Sequence, residues 1–258
     1  MNLTAEQIQD NWNELIGYIN KYISSPRREK LLAFYEKYQD RLIIMPASHK
    51  REYHNAFPGG YIEHVNRVIK SSLQINETWV NEGIEQNYTI EELVFSALNH
   101  DLGKMGDEEH EAYIPQTNQW RKDNMGEDYI FNTELEFMSV PDRGLYLLQT
   151  HGIEYTKNEM LAIKLHDGIY DDANKPYLMG WLPGQKLRCA LPYIIHQGDF
   201  LAAIFEFQRE WFPKFKNSGE SQKKESTLKE KSKSPTKVKA LGNLKSEGLS
   251  KAMDGFFK

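Results

Sequence analysis

Apolar residues recur along this chain at three- and four-residue spacing almost from its start, the interval at which a helix returns side chains to one face. Ile8, Trp12, Leu15, Ile16 and Ile19 form the first stripe, and Thr4 followed three residues on by Gln7 is a capping box that opens it. Pro26 suits the first turn of a second helix, which would bury Leu31, Leu32, Phe34, Tyr35 and Tyr38. Tyr61, Ile62, Val65, Val68, Ile69 and Leu73 mark a third, with His64 one turn before Val68 on the packed side. A fourth stripe, Leu93, Val94, Ala97 and Leu98, runs into His100-Asp101, so both polar side chains should face inward, and Gly103 should end the helix. Leu145, Leu147 and Leu148 belong to a helix from Asp142 to Thr150. Asn158 should cap the next, with Leu161, Ala162 and Leu165 inward and His166-Asp167-Gly168 at its end. In the last stripe Ile195, Ala202 and Glu206 follow one line, while His196 and Asp199 lie three apart on a neighbouring one. No fixed-period repeat and no series of alternating strands accompanies these stripes, so the expected fold class is all-α.

The interruptions are as informative as the stripes. Residues 46–60 form a polar loop with His49, Lys50, Arg51, His54 and Asn55, closing on Pro58-Gly59-Gly60. Met105 to Met138 lacks clear periodicity yet is rich in aromatics, among them Tyr113, Trp120, Tyr129 and Phe131. A loop of that length inside a compact domain reads as a lid or binding loop, with Trp120 expected to stack on substrate and Arg121 to meet phosphate. Tyr170 to Lys186 is a second polar loop. Beyond Lys216 the chain turns to Lys, Ser, Glu and Thr, too poor in apolar groups to offset its ordering entropy. The expected plan is a helical N-terminal extension (1–45) packing on a core domain (46–216), a disordered Lys/Ser-rich linker (217–248) and an apolar C-terminal peptide (249–258).

Composition narrows the setting. The 258 residues carry a formal charge of -5, which argues against a dedicated nucleic-acid clamp. Cys189 is the single cysteine, so no intramolecular disulfide can form and a reducing, cytoplasmic location is expected. Met1 to Glu6 lacks the basic and apolar pattern of a leader, and no apolar run reaches membrane-spanning length.

The chemistry lies in the inward polar groups. A carboxylate facing a core is costly unless paired or bound to a cation. His64, His100-Asp101, His166 and His196 with Asp199 all fall on inward positions of helices or at their ends. Imidazole and carboxylate ligands suit Mn, Fe, Co, Ni or Zn, and the lack of clustered cysteines argues against a structural zinc site. One or two such ions can activate water for in-line displacement at phosphorus, with Lys104 adding positive charge where phosphate docks.

His64, then His100-Asp101, then Asp199 resembles the signature of the HD superfamily of metal-dependent phosphohydrolases, an all-α helical bundle. The segments His54 to His64, Ala97 to Lys104 and His196 to Ala202 are similar to those of its exoribonuclease-like YhaM branch. The resemblance implies that His64, His100, Asp101 and Asp199 hold one ion and that His166 and His196 serve a second, with Asp101 bridging. Two departures stand out. The middle motif reads His166-Asp167 rather than paired histidines, with His151-Gly152 as a competing candidate, and the N-terminus shows helices where that branch carries an OB-type module. The implied function is hydrolysis of a phosphoester in a nucleotide or nucleic acid by metal-activated water. Asp101 and Lys104 would be catalytic, and His54 would lie near substrate. The alternatives are a free-nucleotide phosphomonoesterase and a non-catalytic adaptor recruited through its tail. Met253, Phe256 and Phe257 in that tail resemble a sliding-clamp-binding peptide, with Ser250 where the leading glutamine would stand.

Overall fold

The computed structural model describes residues 3–210, 212 and 213. The expected linker, and the peptide with Met253, Phe256 and Phe257, lie outside the described residues. Helix α1 (Ala5–Tyr22) opens on the expected capping box of Thr4 and Gln7. It is followed by α2 (Arg27–Lys37) and a single turn, α3 (Gln39–Leu42). The long α4 (Gly60–Asn81) and α5 (Ile90–Asn99) come next, and α5 passes through His100-Asp101 into a 3₁₀ turn at Leu102–Met105. The segment expected to lack regular structure holds two short strands, β1 (Tyr113–Pro115) and β2 (Tyr129–Phe131), paired antiparallel with Tyr113 opposite Phe131. Between them lies α6 (Gln119–Met125). Then follow α7 (Val140–Thr150), α8 (Lys157–Lys164), the short α9 (Lys175–Leu178) and α10 (Leu191–Glu210). The protein is mostly helical, with one small hairpin.

α4 and α10 pack along each other, α5 packs on α4 and α8, and α8 on α10. These four helices surround the inward histidines. α1 lies across α4 and α5 rather than beside a finished domain. Its Leu15 and Ile19 are fully buried in the same cluster as Val65, Leu98 and Ile195. The N-terminal helices are therefore part of the main core, and the described residues form one unit. Thr156, not Asn158, caps α8, in a reciprocal pair with Glu159. Ser139 caps α7, which starts two residues earlier than its leucines suggested.

Gly103 does not end a helix through a left-handed turn. A Cβ there would lie 2.0 Å from the Val140 carbonyl oxygen, so its role is to let α7 approach the 3₁₀ turn. The β hairpin is clasped to the 46–60 loop by Arg51, whose Nε and Nη2 each donate to Asp128 at 2.6 Å. The Tyr129 amide adds a hydrogen bond to the His49 carbonyl. Among the described residues no helix is long and apolar enough to cross a membrane.

Because α1 is core, Leu15→Ala should lower the unfolding free energy by about 2–5 kcal/mol in a denaturant melt. A chain lacking residues 1–22 that melted like the full chain would contradict this placement.

Candidate metal centre

α5 ends where its apolar stripe ends, and His100 is its C-cap. The buried His100 turns back so that Nδ1 donates to the Ala97 carbonyl at 2.8 Å, one of the carbonyls that a helix C-terminus leaves without a partner. α8 ends in the same way, and His166 Nδ1 donates to the Ile163 carbonyl at 2.8 Å. Each ring is thereby fixed with its proton on Nδ1 and the Nε2 lone pair directed away from its own helix. The Nε2 atom of His166 lies 3.4 Å from Asp101 Oδ1, and that of His100 lies 3.4 Å from Asp101 Oδ2.

α4 supplies His64 from the opposite side. Its Nδ1 donates to both oxygens of Glu206 at 3.1 and 3.2 Å, and its Nε2 stands 3.1 Å from Asp199 Oδ1 and 3.7 Å from Asp101 Oδ2. Neither His64 Nε2 nor His100 Nε2 has a geometrically acceptable hydrogen bond, although both are buried. Two orphaned imidazole nitrogens facing two carboxylates are what a cation site requires, since an unmet buried polar atom is otherwise costly. The C-terminal ends of α5 and α8 add negative potential in the same place.

Three groups of ligand atoms lie within 4.8 Å of one another: His54 with His64 and Asp101, His64 with His100 and Asp199, and His166 with Asp167 and Asp199. Nitrogen and carboxylate donors of this kind fit the first-row divalent ions. His54, expected as a substrate contact, lies in the cluster, its ring 4.6 Å from that of His64. Asp167, a departure from the expected motif, also joins it. His196 does not belong to any of these groups. Its Nδ1 donates to the His166 carbonyl at 2.7 Å and its ring packs over Gly168, where a Cβ would lie 2.3 Å from it. Gly168 has a left-handed φ of 59°, so it is needed both for the turn and for that contact. His151, the competing candidate, packs edge-on against Phe34 and Tyr38, away from the cluster.

Charge in the cluster is tightly balanced. Burial raises the cost of ionising Asp101, but Lys104 and His100 hold it well below the carboxylate range. Lys104 Nζ donates to Asp101 Oδ2 at 2.5 Å, and this pairing pushes its own pKa up despite burial. Asp199, partly exposed at the cleft, is likewise held low, first by His64 and then by His100. Burial opposes charge on His64, but Glu206 and Asp199 outweigh it and push it up to about 10. His166 rises to about 9 against burial, through Asp167 and Asp101. Burial keeps His54 well below its ordinary value, helped by His64 and Lys104.

Glu206 is the residue that sequence reasoning missed. Its burial on the apolar line of α10 was visible, but not its partner on α4. Arg67 Nε donates to it at 3.2 Å, and Arg67 also reaches Glu63, which Arg209 grips at 2.7 and 3.0 Å.

The cluster opens into a cleft of about 830 Å³ lined by His54, Lys104, His166 and Asp199 at its floor. Tyr113 and Phe131 are what the 105–138 segment contributes to it. Trp120 is 61 % exposed on α6, and Arg121 pairs with Glu127 at 2.7 Å; neither is among the lining residues. Comparison of the chain with family models, with curated proteins and with solved structures finds no match.

Two outcomes follow. Glu206→Ala should weaken Mn²⁺ binding about 10–100-fold by titration calorimetry, as loss of a ligand's hydrogen-bonded partner does, with unfolding still cooperative; unchanged affinity would remove Glu206 from the site. In metal-free protein, folding favours protonated His64, so its contribution is full below about pH 6.5 and lost as pH rises towards 10. Melting temperature should fall over that window, and saturating Mn²⁺ should flatten the fall by taking the proton's place.

Proposed function

We propose that this protein is a metal-dependent phosphohydrolase of the HD type, cleaving a phosphoester of a nucleotide or nucleic acid. The observation that carries the reading is the pair of orphaned nitrogens, His64 Nε2 and His100 Nε2, converging on the carboxylates of Asp101 and Asp199 at the floor of an open cleft. A scaffold that served only as an adaptor would gain nothing from two buried imidazole nitrogens without partners, and each would cost it stability.

His64, His100, Asp101 and Asp199 would hold the ion, with His54, His166 and Asp167 close enough to extend the set to a second. A bound divalent ion supplies Lewis acidity, polarising the phosphoryl oxygen and lowering the pKa of a water beside it. Lys104 places a fixed positive charge on the cleft floor, held by Asp101, where an anionic phosphoryl group would dock. Asp101 thus ties ligand set and phosphate subsite together, one oxygen facing Lys104 and the other facing His166. Water adds its oxygen to phosphorus, the bond from phosphorus to the ester oxygen breaks, and the departing alkoxide takes up a proton. The helices that carry the ligands pack on one another, so the reacting groups need little reorganisation during the reaction.

With Mn²⁺ added, the purified chain should hydrolyse at least one member of a phosphoester panel, and a chelator should abolish the activity. Asp101→Ala should cost at least about 100-fold in kcat, as should removal of the Lys104 charge by Lys104→Met. No turnover across the panel, or full activity in Asp101→Ala, would falsify the reading.

A further inference from the structure

The walls of the cleft differ from its floor. In one group His49 is packed against Phe131 with ring centroids 4.8 Å apart, and it stacks on Tyr113 at 6.3 Å with planes within 19°. In a second, Tyr170 stacks on Phe200 at 6.3 Å with planes within 14°. These rings line the same cavity and several stay open to solvent: Phe131 is 59 % exposed, Tyr170 75 % and Phe200 46 %. Large apolar rings left exposed around a cleft mark a surface that a ligand covers.

Charge limits what that ligand can be. Among the described residues lining the cleft, Lys104 is the single lysine or arginine, and it is already paired with Asp101. Glu52 and Asp167 line the same walls. A binding groove for a nucleic-acid strand tracks successive phosphates with successive cations, and beyond Lys104 and His166 at the metal cluster the lining holds no lysine or arginine to track a second phosphate. Positive charge gathered at one point and aromatic rings elsewhere suit a ligand with one phosphate and one planar ring.

We propose that the cleft binds a nucleoside monophosphate, its phosphate at the metal cluster and its base clamped between the His49–Phe131 wall and the Tyr170–Phe200 pair. The proposal rests on the phosphohydrolase reading for what happens to the phosphate, but not for the recognition of the ring. In the reaction, water adds to phosphorus, the bond from phosphorus to the sugar oxygen breaks, and that oxygen takes a proton, giving nucleoside and inorganic phosphate.

The test uses the full chain with Mn²⁺ and three probes: adenosine 5′-monophosphate, ribose 5-phosphate and a short single-stranded oligonucleotide. The mononucleotide should have a kcat/KM at least about tenfold above the sugar phosphate, the scale of one base stacked on aromatic side chains. Tyr170→Ala and Phe200→Ala should each lower that preference by raising KM for the mononucleotide, and Tyr170→Phe, which keeps the ring, should restore it. Equilibrium binding of the mononucleotide, measured beside turnover, separates the two readings. Binding that depends on the Tyr170 ring without any turnover would uphold the clamp and overturn the phosphohydrolase. Turnover with equal preference for the sugar phosphate, or with the strand favoured, would overturn the clamp and leave the phosphohydrolase standing. No binding of the mononucleotide overturns the clamp outright.

Discussion

The site depends on where each histidine places its Nδ1 proton. His100 gives it to the carbonyl three residues back, at the end of α5, and His166 does the same at the end of α8. Helix C-termini leave such carbonyls unmet, so each imidazole satisfies its own helix while presenting Nε2 to the interior. A His-Asp pair placed just past a helix end is thus a small structural unit, and this chain uses it twice, at His100-Asp101 and His166-Asp167. His64 lies inside α4, past its first turn, where the nearby carbonyls serve the helix's own hydrogen bonds, and it must find its acceptor elsewhere. That explains Glu206: a carboxylate inside the core is tolerated because it meets His64 and Arg67 at once.

The same constraint accounts for the charge balance. Asp101 is too deeply placed to be solvated and Asp199 only partly reaches solvent, and the cluster compensates them with Lys104 and with protons retained on His64 and His166. Protons and a divalent ion are competing answers to one electrostatic demand. The fold supplies the demand by burying carboxylates on packed helices, and it leaves the answer open by withholding hydrogen bonds from two nitrogens.

How much of this was legible in the sequence follows from which features are local. The stripes from Ile8 to Ile19 and from Leu93 to Leu98 fixed helices whose buried faces are the ones observed, and the inward direction of His64 and His100 followed from them. The cap of α8 was misplaced because Asn158 and Thr156 are both competent, and the reciprocal bond from Glu159 decides between them. Strands of three residues are too short to show alternation, so the hairpin that carries Tyr113 and Phe131 was hidden, and the more conspicuous Trp120 and Arg121 stood in for them. Gly103 looked like a helix terminator because the backbone it must admit, that of Val140, comes from a helix far along the chain. Glu206 and His49 were out of reach for the same reason: each acquires its meaning from a partner that only tertiary packing supplies.

Ligands and walls also differ in how they are held. His64, His100 and Asp199 lie on or at the ends of helices that also contribute to the common core, so a change there is felt by packing as well as by chemistry. Apart from Phe200 on α10, the aromatic walls come from the 46–60 loop, the hairpin and the segment after Gly168, joined by exposed pairs such as Arg51 with Asp128. Such pairs contribute little to global stability, so the walls can vary without cost to the core. A rigid floor set for one chemistry beneath walls free to change is an arrangement in which specificity can be altered without disturbing the reacting groups. In this chain the lining joins aromatic walls to a floor where Lys104 is the single lysine or arginine, so the character of the cleft comes from their combination and not from the cluster alone.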